Sequence, residues 1–495
     1  MARPILIRRL LFSAAFAVLA AGFAAPAARA LDLPIRIDSQ ATLSAQFGYT
    51  PGYPLNIPSF DSANRPSIRS RTASQNGTRD AITLSTDDTW VAASLLTAIR
   101  GAYPTFTNTV NAGGYVSERI EFDSLGRAYT LVEIRVRGGV CRNVLLYSLD
   151  GCRTWRLVEL PFAGRPAMYD GRDNGTAALE QYAGWNQTAR PPLVAVWRPV
   201  SDWQGTRASR NYLYVLKPYF SGGSLRLPAP TLVSKRFIGQ TYAAGGASFA
   251  ASTDTTAYVV WAEVSVRGDR GTPTYVCSLD LATRKVRGWR MLAEAYRRND
   301  DHDAPGIVRD GNGYLHVLTG AHNAPFLYTH SLQPLDISEW ATPEPTLQGG
   351  YVPDGGTLPG AARQTYLSLA CLRDNSLVIV FRQGRRGVDT DFDGAYYDAL
   401  CSQTLPAGGT WSEPQRLVMC IDRGGYALYN QKLTVDRLGR LYLSLSYFNP
   451  SDYPSNVAAA NRFHHRMVLI SKDGGVAWDF ATDADFIDGI TMAAQ

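Results

Sequence analysis

Four residues in the second half of the chain, His302, His322, Tyr366 and Arg382, are separated by 20, 44 and 16 positions. Together they supply the side-chain types needed to remove a proton from a carbon beside a carboxylate. Such a carbon is acidic only when the carboxylate charge is neutralised, a task suited to the planar fork of an arginine. A base must then take the proton, and an acid must protonate the oxygen that leaves from the β carbon; histidine and tyrosine can serve in either role. Histidine is scarce here, six in 495 residues, so placement carries information. His316 alternates with apolar neighbours in GYLHVLTG, His330 follows FLYT, and His464 and His465 lead into RMVLIS, all of which read as structural positions. His302, in DDHDAP, and His322, before Asn323-Ala324-Pro325, lie outside such patterns.

These residues need a scaffold that brings strand ends together, and the chain repeats weakly at a period of about sixty residues. The recurring phrase is a turn followed by an apolar strand: FDSLGRAYTLVEI at Phe122, STDTTAYVVWAEV at Ser252, VRDGNGYLHVLTG at Val308, LRDNSLVIVFR at Leu372 and VDRLGRLYLSLSY at Val435. Asp254, Asp310, Asp374 and Asp436 mark steps of 56, 64 and 62. ARPPLVAVWRP near Ala189 supplies a sixth unit, and IRSR with DDTWVAASLL supplies a seventh before Asp123. Short apolar strands, many Gly and Pro and no long amphipathic helix predict an all-β chain folded as a seven-bladed β-propeller, closed by a strand from the opposite terminus. SLDGCRTW (Ser148 to Trp155) and SKDGGVAW (Ser471 to Trp478) resemble the Asp-box hairpin of BNR-repeat propellers, in which the Asp binds the turn backbone and the Trp lies beneath it. GGTW at Gly408 looks like a decayed third copy.

The stretches DDHDAPGIVRDGNGYLHVLTGAHNAPFLYTH and RQTYLSLACLRDNSLVIVFRQ, which carry the four residues, resemble the propeller-type polysaccharide lyases best known from ulvan lyases and related enzymes acting at rhamnose–glucuronate linkages. The likeness is close over about residues 300 to 445 and looser, at repeat level, over most of the remaining chain. The four residue types recur in the family's order, later in the chain than expected. The resemblance implies β-elimination at a uronic acid, with Arg382 neutralising the uronate, a histidine as base and Tyr366 as acid at the leaving oxygen. It does not fix which histidine is the base. Asn323, Tyr426, Tyr429 and Lys432 are the candidate substrate contacts, Gln431 lying among the last three; aromatic faces there can stack on pyranose rings. Two rival readings are a glycoside hydrolase on the same fold, sialidase- or rhamnosidase-like, and a non-catalytic glycan-binding propeller. Ile68-Arg-Ser-Arg71 does not supply the R-I-P segment of sialidases.

Residues 1–30 have a basic start, an apolar run from Leu10 to Ala25 and small residues at Ala28 and Ala30, the pattern of a secretory signal peptide. Arg8 and Arg9 form a twin arginine. The expected domain is residues 31–495, secreted or periplasmic and monomeric. Removing the four leader arginines lowers the formal charge from +6 to +2, which disfavours nucleic acid as a partner and leaves room for a local cationic groove that binds an anionic polysaccharide. No later apolar run is long enough to span a bilayer. Cys141 with Cys152, and Cys401 with Cys420, are possible disulfides, weighed against buried free thiols for these and for Cys277 and Cys371. Asp389, Asp391, Asp393 and Gly394 match the start of a calcium loop, with Asp398 as a further ligand, but Leu400 stands where the bidentate Glu belongs, so a solvated loop is the better reading. No zinc spacing and no organic cofactor are expected.

Overall fold

The computed structural model describes residues 33–37, 57–72, 75–84, 89–109, 119–136, 140–161, 165–166, 177–199, 210–240, 245–266, 270–347, 363–386, 396–420, 428–447 and 465–495. The leader, the calcium-like loop from Asp389 to Gly394 and Tyr426 fall outside them. Seven antiparallel blades, spanning residues 59–94, 121–159, 177–237, 250–295, 306–345, 364–420 and 428–480, follow one another around a β-propeller. The expected fold class and blade number are those observed. Two short helices, α1 (Leu95–Ala102) and α2 (Asp483–Ala493), complete the described elements.

The recurring aspartate acts at the turn between the first and second strands of a blade. Asp123 Oδ1 accepts the backbone N–H of Leu125 and Arg127, and Asp436 Oδ1 accepts those of Leu438 and Arg440; in both turns the arginine also donates its Nε to Oδ2. Asp310 repeats the pattern with Asn312 and Tyr314. Each carboxylate thus replaces ladder bonds that the chain loses on reversing direction, which is why the motif recurs from blade to blade. In the fourth blade the equivalent acceptor is Thr253, not Asp254. The Asp-boxes lie at the same end: Asp150 Oδ1 accepts the Thr154 N–H and Asp473 Oδ1 that of Ala477, while Trp155 and Trp478 donate Nε1 to the carbonyls of Cys152 and Gly475.

Each pair of neighbouring blades shares an apolar cluster, so strands such as Val378–Phe381 are buried on both faces. Closure of the ring departs from expectation: among the described residues, blades 1 and 7 share no strand. Side chains do the joining. Asn64 of blade 1 donates to Asp436 Oδ2 (3.3 Å) and to the Gly489 carbonyl (3.0 Å), and Arg437 Nε donates to the Asp61 carbonyl (2.8 Å). Phe60, Tyr442 and the α2 residue Phe486 form one aromatic cluster, with Tyr442 and Phe486 stacked at 5.3 Å. A fully buried ring of this kind stabilises by about 2–3 kcal/mol. Near the N-terminus, Ile35–Ile37 instead pairs in parallel with the outermost strand of blade 6, Gln415–Cys420. Cys152, Cys277, Cys371 and Cys401 are buried free thiols, so neither suggested disulfide forms. Burial pushes the Cys152 and Cys277 thiols up to about 12.

Candidate functional site

At the end opposite the aspartate turns, blades 5 and 6 are stitched together by the short strand His322–Ala324. It leaves the second strand of blade 5 (Leu315–Leu318) and pairs with the first strand of blade 6 (Gln364–Cys371), setting His322 opposite Thr365. Two backbone irregularities shape this seam. Asn323 (φ 54°) donates its N–H to Thr365 Oγ1 at 2.8 Å, and Tyr366 (φ 62°) sits in a bulge where the blade 6 register shifts between Thr365 and Ser368. Positive φ at a β-branched neighbour's side, in a non-glycine residue, costs on the order of 1 kcal/mol or more and persists only where surroundings enforce it. Here Gln431 of blade 7 donates Nε2 to the Tyr366 carbonyl (2.6 Å), while its own carbonyl accepts from Ser368 Oγ (3.0 Å).

All four sequence-derived residues meet at this seam. The rings of His302 and His322 stack with centroids 4.1 Å apart, Tyr366 lies 5.4 Å from His302, and Arg382 places its guanidinium carbon 4.6 Å from the Tyr366 ring centre. Arg382 is opposite Thr365 in the blade 6 ladder, so the seam residue Thr365 relates it to His322 as well. The histidine side chains are each 22% exposed, whereas Tyr366 and Arg382 are only 1% exposed and lie beneath them. Of the expected substrate contacts, Asn323 is half-buried and bonded to Thr365, and Lys432 is buried in the first strand of blade 7. Tyr429 lies in the same strand, Leu428–Val435, and its side chain is outside the described set.

Sequence reasoning gave no role to Asp300, which proves central. Its Oδ1 accepts the His302 backbone N–H (3.0 Å) and Nδ1 (2.6 Å), and its Oδ2 accepts His322 Nδ1 (2.8 Å). Asp301 Oδ1 is 3.2 Å from His302 Nδ1, and Arg297 lies 3.9 Å from Asp300 Oδ2. The available signal was an acid two residues before a histidine in a histidine-poor chain.

This arrangement makes the two histidines unlike. At His302 burial opposes the charged ring, but the hydrogen bonds to Asp300 and Asp301 outweigh it and push the ring up to about 10. At His322 burial dominates and, with the adjacent positive His302, holds the ring below its ordinary value despite Asp300. Burial of Asp300 itself is overcome by its two histidine bonds, which hold its carboxyl well below the usual range. Asp303 behaves oppositely: burial and then the Asp300 charge push it well above the usual range. At neutral pH these opposite shifts favour one cationic ring and one neutral ring in the stacked pair.

Asp300, His302 and His322 are also, among the described residues, the one cluster of three His, Cys, Asp or Glu side chains close enough to share a metal ion. Their 2.6 and 2.8 Å separations are those of hydrogen-bonded partners, shorter than the roughly 3.3 Å expected between two ligands around a tetrahedral zinc ion. The donors are spent on each other.

Residues 256–493, from the second strand of blade 4 to α2, match the model of the BNR repeat-containing family. No curated protein sequence matches the chain. Among solved structures, the polysaccharide lyase Uly1 aligns at 13% identity and TM-score 0.34 over 52% of this chain; the chain covers 58% of that lyase's length. An ulvan lyase of family PL25 aligns at 13% identity and TM-score 0.27, over 48% of this chain and 70% of its own. A protein of unknown function from Dyadobacter fermentans aligns at 13% identity and TM-score 0.40, over 74% and 95%. Among the described residues no helix is long and apolar enough to cross a membrane.

Proposed function

We propose that the chain is an exported polysaccharide lyase that cleaves a uronic-acid-containing glycan by β-elimination at the blade 5–blade 6 seam. The observation that carries this reading is the mutual contact of His302, His322, Tyr366 and Arg382, four residues remote in sequence whose types match the reaction's needs. Arg382, with the His302 cation, neutralises the uronate. Neutral His322 takes the C5 proton at Nε2; the electrons form the C4–C5 double bond, the C4–O bond breaks, and Tyr366 donates its hydroxyl proton to the departing oxygen. Proton exchange with solvent then restores Tyr366 and His322. Arg382 and Tyr366 are buried, so the mechanism requires substrate entry to uncover them. A hydrolase of the usual kind would instead use two carboxyl groups at the glycosidic bond, sialidases with their tyrosine nucleophile excepted. Asp300 and Asp303 have the split ionisation that such a pair needs, but Asp303 is fully buried and both Asp300 oxygens are occupied, so the lyase reading is preferred.

The experiment is incubation of the purified chain with ulvan, a rhamnose-capped arabinogalactan and other uronate polymers, following ultraviolet absorbance and reducing ends together. Elimination produces a conjugated unsaturated uronate and both signals rise. New reducing ends without absorbance would reject the lyase and favour the hydrolase.

A further inference from the structure

We infer that Asp300 is a positioning residue shared by both histidines, one oxygen for each ring, and that it fixes the His322 proton on Nδ1 so that Nε2 presents a lone pair. The inference rests on the proposed use of His322 as base and concerns how that base is prepared.

The geometry leaves little alternative. An ionised carboxylate only accepts hydrogen bonds, so a ring nitrogen 2.8 Å from Asp300 Oδ2 must carry its proton there. The His322 proton is therefore on Nδ1, and in the neutral ring the basic nitrogen is Nε2, on the side away from Asp300. Oδ1 performs two tasks at once, accepting the His302 ring and closing the turn through the His302 N–H. That turn continues with the Asp303 N–H donating to the Asp300 carbonyl, which leads the chain into the first strand of blade 5, Gly306–Arg309. The backbone and both imidazoles are thus indexed to a single carboxylate.

The charged and titratable groups around the pair come from four elements. Arg297 follows the outer strand of blade 4; Asp301 and the buried Asp303 flank His302; Tyr366 and Arg382 belong to blade 6; and Lys432 lies on the blade 7 strand whose Gln431 holds the Tyr366 carbonyl. Asp300 bonds both rings, Oδ1 to His302 and Oδ2 to His322.

Asp300→Asn makes the inference testable without removing the turn. Asparagine keeps an oxygen for the His302 N–H and ring, because Asn suits the same turn. Its NH2 then faces His322 Nδ1, and two donors cannot bond. The ring relieves the conflict by moving its proton to Nε2, which turns the basic nitrogen away from the substrate. A change of tautomer of this kind disables a base while leaving its position intact.

The measurement is nitrogen-15 NMR of histidine-labelled full-length chain without substrate, assigned by difference using His302→Gln and His322→Gln. In the wild type His322 is expected as the Nδ1–H tautomer at neutral pH, with His302 doubly protonated. In Asp300→Asn, His322 is expected to shift to Nε2–H, and turnover to fall about a hundredfold or more with KM changed by less than about threefold. Asp301→Asn, which loses only the longer contact to His302, should retain the wild-type His322 tautomer. An Nε2–H tautomer at His322 in the wild type overturns the inference even if Asp300→Asn fails to fold. So does an unchanged tautomer in a folded Asp300→Asn. Because the spectrum needs no substrate, its outcome is separate from whether the chain is a lyase, which the absorbance assay decides.

Discussion

His322 and Thr365 face each other across a strand pair that belongs to two blades at once. Through that single register, a histidine from the blade 5 connection arrives beside the bulge that carries Tyr366 and the ladder partner Arg382. Neighbouring propeller blades ordinarily meet through side chains; a shared ladder at the seam adds backbone hydrogen bonds whose register is rigid. The candidate site is therefore built on sheet, with both positive-φ residues, Asn323 and Tyr366, at the join.

Arg382 is the most informative position for substitution. Its guanidinium lies over the Tyr366 ring in a buried setting, where a cation–π contact contributes on the order of 2 kcal/mol. Arg382→Ala should lower stability by about 2–4 kcal/mol through the lost contact and the cavity and should abolish turnover. Arg382→Lys keeps the charge but not the planar fork, so we expect a folded protein with activity reduced by a hundredfold or more. Thermal unfolding and initial rates separate the two effects. Near-wild-type turnover in Arg382→Lys would show that bidentate carboxylate recognition is the wrong role.

The two histidines predict the form of the pH–rate profile. Turnover needs neutral His322, so the acid limb should rise through that ring's ionisation, below the ordinary histidine value of about 6.5. His302 is wanted as a cation, so the alkaline limb should fall near 10. Removing the His302 charge with Gln relieves one of the influences that depress His322, and the acid limb should move to higher pH while the alkaline limb from His302 disappears. The test is kcat/KM against pH for wild type and His302→Gln, and an acid limb that stays in place would contradict the coupling.

Much of this was legible in the sequence because it is local. The aspartate turns recur since each hairpin must replace its lost ladder bonds within five residues, and Asp123, Asp310 and Asp436 do so with neighbours at positions two and four ahead. The four candidate residues were singled out by the family resemblance of the two stretches that carry them, since taken singly each reads as structural. What was not legible depends on contacts between distant segments. The ring closes through Asn64, Asp436 and Gly489, separated by 372 and 425 positions, and no periodicity encodes that. Asp300 was overlooked because its meaning lies in reaching His322, twenty-two residues away, and not in its proximity to His302. Arg437, bonded to the Asp61 carbonyl across 376 positions of chain, was invisible for the same reason.

His302 should also leave a mark on stability. Its folded-state pKa of about 10 exceeds the unfolded value of about 6.5, so its contribution is fully present below 6.5 and is lost as pH rises towards 10. Asp300 and His322 are shifted downwards and act in the opposite sense, their contributions being present at higher pH and lost as pH falls into the acid range. Among these three groups, the window from 6.5 to 10 therefore belongs to His302. Denaturant midpoints measured across that window should decline in the wild type and decline less steeply in His302→Gln. Parallel slopes would mean that the ring is not held as a cation in the folded chain.

Tyr366→Phe isolates the leaving-group step. The phenol hydroxyl is the atom that the proposed elimination uses, whereas the ring is what Arg382 and His302 contact, at 4.6 and 5.4 Å. Phenylalanine keeps that ring, and the bulge is retained because the Tyr366 backbone is held from blade 7 through its carbonyl, which accepts from Gln431. The variant should thus fold with a melting temperature close to wild type while kcat falls by about a hundred- to ten-thousandfold, the usual contribution of a general acid. KM should change little, since the guanidinium and the imidazolium to which the proposal assigns uronate binding remain. The effect should also depend on the leaving group: a substrate whose departing oxygen is intrinsically acidic needs little protonation and should be cleaved by Tyr366→Phe at a rate much nearer that of the wild type. Equal losses on good and poor leaving groups would assign the hydroxyl to orientation of the site and remove Tyr366 from the proton-transfer step.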